Sequence, residues 1–168
     1  MASLAGSFLV ARSTLFDPNF RETVVLLIQH SAEGALGLVV NRKAQVTSAP
    51  FPVFVGGPCE SEGLLMIHGH EEWLDEEERE QREIAPGIFM GDASCVDRVT
   101  SAELDEDLRY RIVVGYSGWG PDQLESEMVM QQSSWSVVPA DGDTLFNTPV
   151  EELWSTLAPP AFPEPSVN

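Results

Sequence analysis

The sequence has few of the features that mark secreted or membrane proteins. It contains only two cysteines in 168 residues, Cys59 and Cys95, so we expect reduced thiols and no disulfide framework. No apolar run approaches the roughly 20 residues of a membrane span. Residues 1–11 lack the basic segment of a secretion signal. These absences predict a cytoplasmic protein with no membrane partner.

Basic residues are also scarce. Nine Lys and Arg stand against 27 Asp and Glu, which gives a formal net charge of -18 and a pI near 4.2. Arg42 and Lys43 are the only adjacent basic pair, whereas nucleic-acid-binding proteins carry basic patches. We therefore expect no direct contact with nucleic acid. Solubility explains the acidity more simply than a specific cationic partner does.

Short apolar runs bounded by turn residues predict a β-sheet. The run at 23–30 is rich in β-branched residues and shows no polar alternation over 24–28, which is typical of a strand covered on both faces. Gly34 turns the chain into the next strand and indicates a hairpin. The predicted strands are 8–11, 23–30, 36–41, 53–55, 64–68, 88–90 and 111–116.

Two helix starts are indicated by capping residues. Asp92 can cap a helix that carries Cys95 on its apolar side. Gly120 fits an N-cap followed by Pro121, and the Gln123 amide can reach back to the Gly120 N–H. The acidic stretch at 71–83 predicts a solvated loop or an exposed turn of helix.

The last helix is predicted from an apolar stripe that follows Thr148 and Pro149, which fit its N-cap and first turn. The stripe has the helical spacing i, i+3, i+4 and i+7 and comprises Val150, Leu153, Trp154 and Leu157. Strands first with helices inserted later favour an α+β fold. We expect one domain at 1–158 and a Pro-rich flexible tail at 159–168.

Six segments of distinctive sequence follow one another along the chain. They are 13–20 (STLFDPNF), 23–30 (TVVLLIQH), 34–42 (GALGLVVNR), 53–58 (VFVGGP), 115–125 (GYSGWGPDQLE) and 135–140 (WSVVPA). In this order they resemble the AlgH/YqgE family of bacterial proteins over nearly the whole chain. The resemblance implies a compact α+β domain in which a bifurcated, partly barrel-like mixed sheet is surrounded by helices. The family's function is not established, and its label as transcriptional regulators comes with an association with alginate regulation, so the resemblance implies a regulatory role only as an expectation.

The chain departs from the family pattern in three places. Only residues 43–52 separate the Asn-Arg and Gly-Gly-Pro segments, where the family carries a longer segment. Asp122 stands where Gly is usual, and 71–83 is unusually rich in charge. One wall of a pocket and any contacts made by the acidic stretch therefore need not carry over.

The candidate binding surface consists of polar, glycine, proline and aromatic residues at loops and element ends, where functional groups concentrate on a rigid scaffold. They are Asp17, Asn19, Phe20, Asn41, Arg42, Gly56, Gly57, Pro58, Trp119, Gly120, Gln123 and Glu125. We expect at least three of the polar members to meet on one face, with Arg42 held by a carboxylate. Such a cluster would be either a ligand site or a structural clasp.

Structural roles compete with functional ones at several of these positions. Asp17 and the proline after it are typical of a turn. The segment 115–125 favours a structural corner that packs Trp119 or Tyr116 on the sheet, because Asp122 near a helix start would repel an anion. His30 is in step with a buried strand, which favours a hydrogen-bonded histidine at the margin of the core over a base.

Signals for a cofactor or for catalysis are weak. The sequence has no G-x-S-x-G, P-loop, Rossmann or Cys-x-x-Cys pattern, so we predict no cofactor. His68 and His70 lie beside carboxylates, but their spacing is a weak zinc pattern and we predict no metal. An enzymatic alternative pairs Glu125 with His30 or His68 across a pocket.

These observations favour a binding or regulatory module whose partner is a protein or a small molecule. Any effect on transcription would be indirect, because direct DNA contact is disfavoured by the charge. The alternative is a small hydrolase-like enzyme that uses the polar cluster of the recurring segments.

Overall fold

The computed structural model of the protein describes residues 2–45, 51–101, 107–129 and 134–159. Within these ranges the chain forms nine strands, five α-helices and a 3-10 turn at Glu71–Trp73. The strands are β1 Ser7–Ala11, β2 Val24–Ser31, β3 Gly34–Val39, β4 Val53–Val55, β5 Cys59–His68, β6 Glu83–Ala85, β7 Ile88–Met90, β8 Tyr110–Trp119 and β9 Trp135–Pro139. The helices are α1 Glu76–Arg82, α2 Ala93–Ser101, α3 Gln123–Val129, α4 Gly142–Asn147 and α5 Val150–Leu157.

The strands form one curled, half-barrel sheet that forks at β8. Along the main path the order is β6-β7-β5-β8-β3-β2-β1-β9, and neighbours on this path are antiparallel. The first part of β8 pairs with β5 and, in parallel, with β4, whereas its last residues pair with β3. The expected α+β fold with a bifurcated mixed sheet is therefore confirmed.

The Gly-Gly-Pro segment lies at the fork. The Gly56 N–H donates to the Val114 carbonyl at 2.8 Å, and the Gly56 carbonyl accepts from the Val39 N–H at 2.9 Å. A Cβ on Gly56 would lie 2.4 Å from a β8 carbonyl oxygen, and one on Gly57, where φ is 151°, would lie 2.3 Å from another. Both glycines are therefore required by the close approach of two backbones.

Strand β1 and the first half of β2 are buried on both faces, as the missing polar alternation in 24–28 predicts. Val24 and Leu26 belong to one core cluster, and Val25 and Leu27 to the other. The predicted stripe of the last helix is also confirmed, because Leu153 is fully buried and the other stripe residues pack on the first cluster. The Trp154 indole N–H donates to the Ala11 carbonyl at 2.7 Å and ties α5 to β1.

The seven predicted strands are present, with ends shifted by up to five residues. Strands β6 and β9 were not expected: β6 is short and lies at the end of the acidic stretch, and the segment 135–140 was recognised only as part of the family resemblance. The preceding helix α1 has no buried residue, as an exposed helix predicts, and it begins with a capping box in which Asp75 Oδ1 accepts from the Glu78 N–H at 2.8 Å.

Two predicted helix starts need correction. Helix α3 begins at Gln123 and not directly after Gly120, because Asp122 has a φ of 62°, which lies outside the right-handed helical region. The predicted back-contact is nevertheless present, since Gln123 Oε1 accepts from the Gly120 N–H at 3.0 Å. Helix α5 has Pro149 rather than Thr148 at its N-cap, without a side-chain cap bond.

Other expectations are settled locally. Asp92 caps α2 as predicted, since Asp92 Oδ1 accepts from the Cys95 N–H at 3.3 Å, and Cys95 is buried. Both cysteines are unpaired. Residues 46–50 of the predicted loop and 160–168 of the predicted tail lie outside the described residues. Within the described ranges, no helix is long and apolar enough to span a membrane.

Candidate functional site

Arg42 anchors the loop that connects β1 to β2. Its guanidinium donates to the carbonyl oxygens of Pro18 at 3.1 Å, Asn19 at 2.7 Å and Arg21 at 2.8 Å. The expectation that a carboxylate holds Arg42 is therefore wrong. Three backbone carbonyls bind the guanidinium instead, because the loop curls around it. The forked N–H donors of the guanidinium match the spacing of these carbonyls.

Asn41 holds the same loop from its other end. Its Oδ1 accepts from the Val24 N–H at 2.9 Å, and its Nδ2 donates to the Glu22 carbonyl at 3.0 Å. Val24 is fully buried, so its N–H would otherwise lack a partner. We call Asn41, Arg42 and the backbone of residues 17–22 the clasp. The clasp is structural, because its polar side chains bind backbone groups of its own loop.

Asp17 and Asn19 form the predicted turn within the clasp. Asp17 Oδ1 accepts from the Asn19 N–H at 2.8 Å, and the Asp17 carbonyl accepts from the N–H groups of Phe20 and Arg21. These bonds fix the direction in which Phe20 leaves the loop. The turn therefore connects the clasp to the surface on the other side of the loop.

On that other side the loop forms one wall of a concave surface, which we call the cleft. The cleft has a volume of about 540 Å³ and lies between the loop, the end of β8, helix α3 and the start of β9. Its lining residues are Leu15, Asp17, Phe20, Gly118, Trp119, Gln123, Ser126, Glu127 and Trp135.

Three aromatic rings, which we call the aromatic floor, form the base of the cleft: Phe20, Trp119 and Trp135. The ring centroids of Phe20 and Trp135 are 5.5 Å apart in an edge-to-face arrangement, and Trp119 lies 6.2 Å from each. The two tryptophans are 7% and 1% exposed and belong to the core. The prediction that Trp119 packs in the sheet is confirmed, while Phe20 is only half-buried.

The charge in the cleft has one sign. Among the lining residues that the structure describes, Asp17 and Glu127 are ionisable, and none is Lys, Arg or His. Glu127 Oε1 accepts from the Trp135 indole N–H at 3.2 Å, which holds the carboxylate against the aromatic floor. The cleft therefore combines apolar walls with negative charge at the rim.

His30 and Glu125 meet on the opposite side of α3. They line a smaller pocket of about 310 Å³, and His30 Nε2 is hydrogen-bonded to Glu125 Oε1. The Leu4 N–H donates to His30 Nδ1 at 2.9 Å, so Nδ1 is unprotonated and Nε2 carries the proton that Glu125 accepts. This hydrogen bond lowers the pKa of the Glu125 carboxyl. The expected hydrogen-bonded histidine is confirmed.

His68 and His70 stack with Trp73 and Phe89 at the far end of β8, and we call these four residues the histidine stack. His68 Nδ1 accepts from the His70 N–H at 3.1 Å, and His70 Nε2 accepts from the Arg109 N–H at 2.9 Å. Burial, with a smaller effect of His70, lowers the pKa of His68 to about 4.

The remaining ring nitrogens of the stack differ in their partners. His70 Nδ1 is hydrogen-bonded to Glu72 Oε1 at 2.7 Å, and His68 Nε2 is buried without a partner in the described structure. In the part of the chain that the structure describes, no group of three or more His, Cys, Asp or Glu side chains is arranged to hold a metal ion. The histidines therefore serve packing and backbone hydrogen bonding.

The sequence model of the AlgH-like family matches residues 8–161, which is most of the chain. The chain belongs to the AlgH-like family. Among its relatives, a UPF0301 protein from Myxococcus xanthus is 33% identical over 171 residues, covering 93% of this chain and 90% of the relative. One from Anaeromyxobacter dehalogenans is 33% identical over 175 residues, covering 92% and 86%.

Two solved structures share the AlgH-like fold. The AlgH protein from Pseudomonas aeruginosa, determined in solution, is 26% identical with a TM-score of 0.67 and covers 92% of this chain and 87% of its own. Protein DIP2367 from Corynebacterium diphtheriae, a crystal structure, has a TM-score of 0.73 at 18% identity and covers 94% and 86%. The second likeness concerns the fold alone.

The predicted site residues of this AlgH-like chain fall in separate places. Asn19, Asn41 and Arg42 belong to the clasp, Glu125 lies with His30, and Gly56, Gly57 and Pro58 lie at or beside the fork of the sheet. Gly120 precedes α3. The cleft brings together Asp17, Phe20, Trp119 and Gln123. Four of the six polar residues therefore gather in the clasp, and Asp17 also reaches the cleft.

Sequence analysis missed five of the cleft residues: Leu15, Gly118, Ser126, Glu127 and Trp135. For two of them a signal exists, because Ser126 and Glu127 follow Gln123 at i+3 and i+4 and so share its face of a helix. Leu15 and Gly118 are chain neighbours of the predicted residues Asp17 and Trp119, whereas only the folded sheet brings Trp135 to them.

Proposed function

We propose that this AlgH-like chain is a binding or regulatory module of the cytoplasm whose partner docks in the cleft. The observation that carries the proposal is a concave surface with an aromatic floor and a polar rim, formed at the ends of four elements. Concave sites with apolar walls and a few convergent polar groups are typical of binding sites. The clasp supports this role because it holds one wall in a fixed position.

Any effect on transcription is indirect in this proposal. Contacts to phosphate supply most of the sequence-independent affinity for DNA and require Lys or Arg. The described lining of the cleft has neither, and the chain carries a net charge of -18. A protein or a small molecule is therefore the proposed partner.

The enzymatic alternative gains no support from the His30–Glu125 pair. A general base needs a nitrogen that can accept a proton from the substrate. His30 Nδ1 already accepts from the Leu4 N–H, and Nε2 is hydrogen-bonded to Glu125. The pair instead ties the start of the chain to α3.

A pair of serine variants tests the proposal. Ser126→Arg fills the cleft from an exposed position on α3, and Ser155→Arg places the same side chain on exposed α5 as its control. Each tagged protein is incubated with an extract of the source cells, and bound proteins and metabolites are quantified by mass spectrometry. We expect partners of the wild type to be lost with Ser126→Arg and kept with Ser155→Arg. Equal capture by all three proteins would contradict docking in the cleft.

A further inference from the structure

The chemistry of the cleft specifies its partner more closely than its shape does. The charged lining residues are the carboxylates of Asp17 and Glu127, at the rim of an otherwise apolar and amide-bearing surface. The net acidity of the chain is not the argument here, since acidic residues occur on much of the surface. What distinguishes the cleft is that its two carboxylates line a concave surface with an aromatic floor.

This combination matches an arginine side chain. A guanidinium is planar and weakly hydrated, stacks on aromatic faces and forms forked hydrogen bonds to carboxylates. Its aliphatic stem packs on apolar walls while the charged head remains at the rim. In the cleft, Leu15 and half-buried Phe20 offer such walls, and Asp17 and Glu127 supply the carboxylates.

One exposed apolar side chain lies between two lining residues of the loop. Phe16, between Leu15 and Asp17, is 71% exposed. A large apolar side chain at such a position is typical of protein interfaces, where anchors concentrate binding energy. A free cation would not need it, whereas a peptide segment would cover it.

We propose that the cleft binds an arginine side chain presented by an apolar segment of a protein partner. This inference rests on the proposed function and deepens it. The arginine head pairs with Asp17 and Glu127, its stem lies against Phe20, and an apolar neighbour in the segment contacts Phe16. Lysine fits less well, because its ammonium is strongly hydrated and cannot form a forked pair.

The experiment uses three synthetic probes with the full chain: a five-residue peptide with a central arginine between leucines, its lysine counterpart, and arginine amide. Binding is followed by NMR at the tryptophan indole N–H groups. Trp119 and Trp135 report on the cleft, and Trp73 in the histidine stack is an internal reference for binding elsewhere. We expect the arginine peptide to shift the first two signals and leave the third unchanged.

Two double variants separate local charge from net charge. Asp17→Asn with Glu127→Gln removes both cleft carboxylates and keeps an oxygen acceptor for the Asn19 N–H and the Trp135 indole. Glu76→Gln with Glu80→Gln removes the same charge from the acidic surface of α1. We expect the first variant to weaken binding of the arginine peptide at least about fivefold, since one exposed ion pair is worth up to about that much. The second should change it less than about twofold, because screening weakens distant charges.

Several outcomes would overturn the inference. Equal binding of the arginine and lysine peptides would show that the cleft does not select a guanidinium. Equal weakening by both double variants would show that the peptide is attracted by the net charge of the chain and not by the two cleft carboxylates. Arginine amide binding as tightly as the peptide would replace the protein segment with a small cation. If no probe binds but Ser126→Arg still abolishes partner capture, this inference fails while the proposed function stands.

Discussion

The two ends of β8 each carry an aromatic cluster, and the cluster at the Trp119 end lines the cleft. At the Tyr110 end, centroids within the histidine stack are 4.1 to 6.3 Å apart. At the Trp119 end, the aromatic floor has similar separations of 5.5 to 6.2 Å. Ring packing alone therefore does not distinguish a binding surface from core.

The polar neighbours of the rings make the difference. In the histidine stack the polar atoms are ring nitrogens, and backbone N–H groups of His70 and Arg109 occupy two of them inside the protein. At the aromatic floor, Asp17 and Gln123 also accept from backbone N–H groups and Glu127 accepts from the Trp135 indole N–H, but these three side chains line an open cleft. The comparison teaches that a backbone hydrogen bond does not by itself separate a structural side chain from a candidate site residue, and that the position of the side chain at a concave surface does.

The largest expected effect concerns the histidine stack at the Tyr110 end of β8. The pKa of His68 is about 4 in the folded protein and 6.5 in the unfolded chain, so the unfolded chain binds more protons between these values. Stability from neutral His68 is fully present above pH 6.5 and is lost as the pH falls towards 4. We expect His68 to account for about 2 kcal/mol of the loss in unfolding free energy between pH 7 and pH 4.5.

Urea denaturation at both pH values measures this loss. His68→Asn keeps an acceptor near the Nδ1 position for the His70 N–H but does not titrate, so its loss should be smaller than that of the wild type by about 2 kcal/mol. Equal pH dependence in the two proteins would show that His68 is not buried in the neutral form.

The next effect concerns the clasp, whose loop forms one wall of the cleft. Arg42→Ala removes three hydrogen bonds from a charged donor, and we expect the unfolding free energy to fall by about 2 kcal/mol. Arg42→Lys should recover only part of it, because an ammonium cannot reproduce the fork. Arg21→Ala is the control within the same loop, since Arg21 contributes its carbonyl to the clasp. A similar loss for Arg21→Ala would contradict the role of the guanidinium.

A smaller effect is expected where β8 turns into α3. Asp122 has a φ of 62°, a conformation that costs a residue with a Cβ about 1 kcal/mol relative to glycine. We expect Asp122→Gly to raise the melting temperature by a few degrees, for a gain of up to about 1 kcal/mol. Asp122→Ala keeps a Cβ and should give no gain, so an equal rise in both variants would assign the effect to the lost charge.

The smallest effect on stability is expected in the cleft itself. Ser126 is exposed on α3, so Ser126→Arg should change the unfolding free energy by less than about 0.5 kcal/mol. Its effect on partner capture should nevertheless be large. Thermal denaturation beside the capture experiment checks this separation. A strongly destabilised variant would show that Ser126 is needed for the fold and that its effect on capture is not specific to binding.

Much of the fold was predictable from local patterns. Continuous apolar runs indicated the buried strands, and capping residues indicated α2 to within a residue of its start. The start of α3 was missed because helix capping and a turn with a left-handed third residue look alike in the sequence Gly-Pro-Asp-Gln. The partners of Arg42 were missed because they are backbone carbonyls, which every residue has, so the identity of a residue does not indicate that its carbonyl binds Arg42.

The sequence by itself determined seven of the nine strands in the described residues, the apolar residues that pack in them, and the family to which the chain belongs, because these follow from apolar patterns and order along the chain. Only the tertiary structure decided which loop residues meet. Loop side chains have no periodicity that fixes their direction, so their neighbours depend on how the sheet forks and curls. In the folded sheet, Glu125 therefore contacts His30 on one side of α3, and Gln123 lies beside the aromatic floor on the other side.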